Sequence, residues 1–138
     1  MLSLKEELPN LTLQASPVIR SDDNALVDLI IDSIQDIKGK RITKLDLREV
    51  EEAPANYFII CEGESITQVR AISQNINRRV KSELSIRPAH TEGIAESKWI
   101  LVDYFDTIVH VFYPETRAFY DLEELWNDAN FTHYEDLP

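Results

Sequence analysis

Fifteen residues near the C-terminal end constrain the fold more than any others: Trp99-Ile-Leu-Val-Asp-Tyr-Phe-Asp-Thr-Ile-Val-His-Val-Phe-Tyr113. Aromatic and β-branched residues crowd the stretch, which suits a pleated, half-buried backbone better than a helix. Asp103-Tyr104-Phe105-Asp106 interrupts it with short acids that favour turns. It therefore reads as two antiparallel strands joined at 103–106. Large aromatics, two carboxylates and a histidine share it, a mixture that makes an adhesive surface and not an obvious catalyst.

The rest of the chain supplies partners for such a hairpin. Residues 1–20 hold two prolines and no sustained period, and read as a loosely ordered extension. Asp22 and Asp23 open a pattern in which Leu26, Leu29, Ile30, Ile34 and Ile37 recur at helical spacing, and Gly39 can stop it. The acids at its start and Lys38 at its end suit the helix dipole. Residues 41–47 alternate as a strand does, and a loop follows through Glu51, Glu52 and Pro54. Tyr57-Phe-Ile-Ile-Cys61 is a short continuous apolar run, expected as a strand buried on both faces. After a turn at Glu62-Gly63-Glu64, Ser65 stands three residues before Gln68, which is capping-box spacing. Ile66, Val69, Ile72, Ile76 and Val80 then line one side of a helix. Residues 87–91 form a short strand before Glu92-Gly93. Strand, capped helix and strand make a βαβ unit, whose crossover should be right-handed and whose strands should be parallel. A last helix is expected from Leu122 to about Ala129, and 131–138 read as a tail. The fold class is α/β: one domain over 21–130, a mixed sheet with packed helices.

Charge and cysteine content narrow the function. The net charge is −11, and residues 89–138 carry eleven acids against Lys98 and Arg117, so this segment alone is −9. So acidic a surface repels phosphate, which argues against direct nucleic-acid binding; it would attract a basic partner, although on charge alone a solvated face that keeps the protein soluble is the simpler reading. A lone cysteine, Cys61, cannot form an internal bridge and sits in an apolar run, where a buried, inert thiol is expected. No apolar run reaches the length of a membrane span, and the first residues lack the layout of a signal or transit peptide. A cytoplasmic protein is the expectation.

A search for catalytic chemistry finds little. Gly63-Glu64-Ser65 lies at a strand-to-helix junction, where an anion can bind, but one glycine flanked by two glutamates is no phosphate loop. Ser65 is better explained as a helix cap. Nucleotidyltransferases carry a similar glycine-serine turn, yet they need paired carboxylates on one strand face for magnesium. Asp46 is followed by Leu47, Arg48 and Glu49, the wrong spacing with a base intruding. Asp103 and Asp106 are three apart across a turn and read as turn caps. His90, His110 and His133 have no zinc spacing. His110 alternates with Ile108 and Phe112, which suits a partly buried structural ring. No cofactor or metal is called for. Trp99, Tyr104, Phe112, Tyr113, Phe119, Tyr120 and Trp126 cannot all be buried, and aromatics beside acids suit an interface anchor with a charged rim.

The run Trp99-x-Leu101-x-Asp103-Tyr104-x-Asp106, then Val109-His110-Val111-Phe112, then Arg117-x-Phe119-Tyr120-Asp121-Leu122-Glu123-x-Leu125-Trp126, resembles the ribosomal silencing factor family, also called Iojap. Upstream, Tyr57-Phe58-Ile59-Ile60 with Gly63, Ser65, Gln68, Val69 and Ala71 matches too, as does Glu92-Gly93. The resemblance spans about residues 22–130. It implies a nucleotidyltransferase-like topology without the catalytic acids. It also implies a non-enzymatic factor that binds the large ribosomal subunit through its fourteenth protein, sterically blocks joining of the small subunit, and represses translation. By motif, Trp99, Leu101, Asp103, Tyr104, Asp106 and His110 are the expected contacts. Three positions depart from the family pattern. Phe105 replaces a usual turn glycine, so this turn should differ or be strained. Asn56 replaces a usual aspartate, and Ser85 stands where a glycine often ends the second helix. The competing classes are a nucleotidyltransferase-like enzyme with atypical metal ligands, and a homodimer that uses the aromatic strands on itself.

Overall fold

A computed structural model describes the backbone of residues 16–138 and the side chains from residue 25 onward. Six strands form one mixed sheet in the order β3-β4-β5-β2-β1-β6. They are β1 (Lys40–Asp46), β2 (Tyr57–Glu62), β3 (His90–Glu92), β4 (Trp99–Asp103), β5 (Thr107–Phe112) and β6 (Asn130–His133). The helices are α1 (Ser16–Asp36), α2 (Ile66–Leu84), α3 (Pro114–Tyr120) and the one-turn α4 (Leu122–Leu125). Among the described residues no helix is long and apolar enough to cross a membrane.

β2 lies in the middle of the sheet and every one of its residues is buried, as its continuous apolar run requires. One face of the sheet is covered by α1 and α2. Val27, Ile30, Ile31 and Ile34 of α1 and Val69, Ile72, Ile76 and Val80 of α2 meet Ile59, Cys61, Ile100, Val102, Val109 and Val111. Each such side chain contributes on the order of 2 kcal/mol by leaving water. The other face carries Leu45, Phe58, Ile60, Ile108 and Phe112. Among the described residues it is covered only by the short α3–α4 segment and the strand connections, with Trp99, Leu101, Trp126 and Phe131 half-buried at its margin.

Several expectations are revised, including the tail expected at 131–138, whose first residues belong to β6. Residues 57–61 and the strand at 90–92 run in the same direction, but they are not neighbours. The parallel partner of β2 is β5, paired from Tyr57↔Thr107 to Glu62↔Phe112, while β3 pairs antiparallel with β4. The β4–β5 hairpin inserts between them. The first helix begins at Ser16, so Asp22 and Asp23 fall in its second turn, and no base lies in its last turn; residues 1–15 lie outside the described residues. Gly39 does follow this helix, but Lys38 takes the left-handed conformation (φ 62°). Gly39 is needed for closeness: a Cβ there would stand 2.3 Å from the Ile34 side chain. The expected last helix is divided. Pro114 starts α3, Asp121 (φ 50°) breaks it, and α4 ends at Leu125. The chain then returns as β6 along β1, and Tyr134 donates its backbone N–H to the Ile42 carbonyl at 2.9 Å.

The capping box forms with a shift of one residue. Ser65 Oγ accepts from the Gln68 N–H at 3.0 Å, and Gln68 Oε1 reaches back to the Glu64 N–H. Gln68 Nε2 donates to the Ile37 carbonyl at 2.8 Å, which ties the start of α2 to the end of α1. Ser85 closes α2 in the left-handed conformation (φ 59°), the geometry that favours glycine.

Candidate functional site

β4 alternates strictly. Ile100 and Val102 are buried under α1 and α2, while Trp99, Leu101 and Asp103 are half-buried on the opposite, thinly covered face. The turn after it is pinned at both ends. Asp103 Oδ1 accepts from the Phe105 N–H at 2.7 Å, the turn-capping role expected for this acid. The Asp106 carbonyl accepts from the N–H groups of Asn56 (2.8 Å) and Tyr57 (3.1 Å), fastening the turn to the start of β2. Phe105 sits at φ 73° with its ring half-exposed, so a bulky side chain does occupy a left-handed position here. Asp106 is half-buried beside it.

The six residues carried over by motif separate into two groups. Trp99, Leu101, Asp103 and Asp106 remain accessible. Tyr104 is 4% exposed, belongs to the helix-side core, and donates its hydroxyl to Asn77 Oδ1 at 2.7 Å. Burial pushes its phenol pKa up. His110 is also 4% exposed, under the aromatic face. Its Nδ1 lies 3.1 Å from the Trp99 indole nitrogen. An indole N–H can only donate, so Nδ1 accepts and the neutral ring carries its proton on Nε2. Burial drives the His110 pKa down to about 3.

Around Trp99 the rings are continuous. Its centroid is 5.0 Å from Phe112 and 4.8 Å from Tyr120, and Tyr120 is 5.0 Å from Phe119. His110 in turn packs edge-on to Phe58 at 4.5 Å. A groove of about 580 Å³ opens beside Trp99, lined among others by Glu96, Lys98, Glu115, Phe119 and Tyr120. Phe119 is 79% exposed and Leu125 is 70% exposed, high values for side chains this apolar. Gly93 forms one wall in the left-handed region (φ 89°), and a Cβ on it would stand 2.0 Å from the Trp99 carbonyl oxygen. Any side chain there would displace β4. Acids border the surface: Glu96, Glu115, and Asp103, whose second oxygen lies 3.7 Å from His90 Nδ1.

Arg117 holds the aromatic half of this surface in place. It is buried, donates to the Arg41 carbonyl at 2.7 Å, and pairs with Glu62 (3.3 Å) and Glu123. These bonds anchor α3, and with it Phe119 and Tyr120, to β1 and β2. Composition showed Arg117 only as one of two bases in an acidic segment; its burial was not visible there. The readable signals for Phe119 and Tyr120 were Pro114, a preferred first residue of a helix, and the paired aromatics five residues later.

Two of the acids weighed as metal ligands are otherwise engaged, Asp103 as the turn cap and Asp46 in an ion pair. Asp46 binds Arg48 through two contacts of 3.0 and 2.8 Å, and that guanidinium holds its carboxyl below the usual range. Among the described residues no three His, Cys, Asp or Glu side chains are grouped to hold a metal ion. Cys61 is fully buried, which pushes its thiol up to about 12 and leaves it unreactive.

Comparison with known proteins agrees with the motif. The sequence profile described as "Ribosomal silencing factor during starvation" matches residues 20–138. The ribosomal silencing factor of Halalkalibacterium halodurans is 36% identical over 104 residues, covering 75% of this chain and 87% of that protein. A mouse protein named for mitochondrial assembly of the ribosomal large subunit is 25% identical over 122 residues, covering 86% of this chain and 53% of that one. A crystal structure of a Chromobacterium violaceum protein superposes with a TM-score of 0.71 at 31% identity, covering 83% of this chain and 88% of that one. The chain belongs to the ribosomal silencing factor family.

Proposed function

From membership in the ribosomal silencing factor family we infer that this protein binds the large ribosomal subunit through its fourteenth protein, and that while bound it sterically blocks joining of the small subunit and so represses translation. The observation that carries the reading is the β4 face. Trp99 and Leu101 lie half-open on a sheet face that no long helix covers among the described residues, continuous with Phe119 and Tyr120 and bordered by Asp103, Glu96 and Glu115. Ribosomal proteins are generally basic, so an apolar centre with an acidic rim matches them in both respects. The proposed contacts are Trp99, Leu101, Asp103 and Asp106 from the motif, with Phe119 and Tyr120 added. Tyr104 lies in the helix-side core and is left out, and His110 acts from beneath.

Repression of this kind is occupancy, not turnover. The sheet presents a fixed surface, the partner's joining face is covered, and release restores it. No step requires a proton transfer or a covalent bond.

The test is cosedimentation of the purified protein with isolated large and small subunits. It should travel with the large subunit alone. Trp99→Ala should weaken binding by about 2 kcal/mol, roughly thirtyfold in Kd. A protein that stays at the top of the gradient, or a folded Trp99→Ala chain that binds as before, contradicts the reading.

A further inference from the structure

We propose that His110 is a positioning residue, whose buried imidazole fixes the Trp99 indole in the orientation that meets the partner. The inference rests on the reading that Trp99 is a contact residue, and it adds a role for a side chain that itself reaches no surface.

His110 stands on β5 directly across from Leu101, one step diagonally from Trp99, which pairs with Phe112. Its ring is enclosed by Phe58, Phe112 and Trp99. An imidazole is an expensive choice for such a place, since a buried polar ring costs stability unless its nitrogens are bonded. Among the described residues Nε2 has no nitrogen or oxygen partner. Nδ1 has one, the Trp99 indole N–H. The bond to Trp99 is therefore the one polar contribution that His110 makes and that an aliphatic residue of similar size could not.

Trp99 needs such a tether. Its ring lies on Phe112 and Tyr120, but it is only half-buried, and the groove on its open side leaves room to swing. An aromatic anchor free to change rotamer must be ordered on binding, which lowers affinity. The N–H bond removes that freedom beforehand. It also defines which edge of the indole faces inward, because the nitrogen edge points at His110 and the opposite edge is left for the partner.

The test uses the full chain, labelled with 15N. The chain has two tryptophans, and the Trp99 indole signal is identified by its loss in Trp99→Phe. Two variants are compared after thermal melts show both folded: His110→Leu, which removes the acceptor, and His110→Asn, whose side-chain oxygen can take the place of Nδ1. His110→Leu should speed solvent exchange of the Trp99 indole N–H and weaken large-subunit binding roughly fivefold to tenfold. His110→Asn should restore most of both. The proposal is overturned if His110→Leu leaves exchange and affinity unchanged, or frees the indole without weakening binding, or if His110→Asn protects the indole without recovering affinity. If Trp99→Ala itself binds as wild type, the reading of the site fails first. The indole exchange then still reports separately whether the tether exists.

Discussion

Replacing His110 by asparagine should flatten the acid side of the stability curve. Burial drives the folded-state pKa of His110 down to about 3, from an ordinary value of 6.5. Folding therefore disfavours the charged ring. Above pH 6.5 the ring is neutral in both states and contributes no slope. As the pH falls below 6.5 the unfolded chain binds a proton that the folded chain refuses, and stability drops until the folded ring also titrates near pH 3. Each unit inside that window is worth about 1.4 kcal/mol, so between pH 7 and pH 4 the wild type loses roughly 3 kcal/mol through this one ring. For a domain stable by about 5–15 kcal/mol that is a large share. The carboxylates titrate as well, but they are the same in both proteins, so the difference between the two curves isolates His110. Urea unfolding followed by circular dichroism, at intervals from pH 7 to pH 4, measures it. The variant should be the less stable protein at pH 7, because it leaves a cavity, and the gap should shrink by about 3 kcal/mol at pH 4. Curves that stay parallel over this range would refute the burial argument.

Ser85→Gly should stabilise the protein by about 0.5–1 kcal/mol, since Ser85 holds a left-handed φ of 59° at the end of α2; a thermal melt shifted upward by a few degrees checks this. Arg117→Leu should cost about 2 kcal/mol or more, because the buried Glu62 keeps only the exposed Arg41 as a partner while Glu123 and the Arg41 carbonyl lose theirs; adding Glu62→Gln should recover part of the loss in urea titrations. Phe119→Ser should leave stability within about 0.5 kcal/mol, the ring being 79% exposed, yet weaken large-subunit binding in the cosedimentation assay.

The sequence marked strand positions well where burial is continuous and less well where neighbours matter. The short apolar run at 57–61 favoured a strand buried on both faces, and β2 is fully buried. Which strand lies beside it was not readable, because periodicity reports the faces of a strand and not its lateral partner. The hairpin at 99–112 returns β5, instead of β3, to the edge of β2. The same limit applies to the contact residues. Alternation sends neighbours to opposite faces, but nothing local shows which face of β4 is left open, that Tyr104 turns into the helix-side core, or that His110 is roofed by Phe58 and Trp99. Backbone strain was more legible. Phe105 and Ser85 replace glycines of the family pattern, and both hold positive φ. β6 escaped notice because it is short, polar and mostly exposed, and its pairing with β1 is a tertiary effect.

The central claim is that an occupied large subunit cannot join a small one. Light scattering during mixing of the two subunits measures joining directly, with the protein added to the large subunit beforehand. The account predicts that the joining signal falls in proportion to occupancy, and that the Trp99→Ala chain needs a roughly thirtyfold higher concentration for the same effect. Undiminished joining by large subunits shown to be saturated with the protein would contradict it.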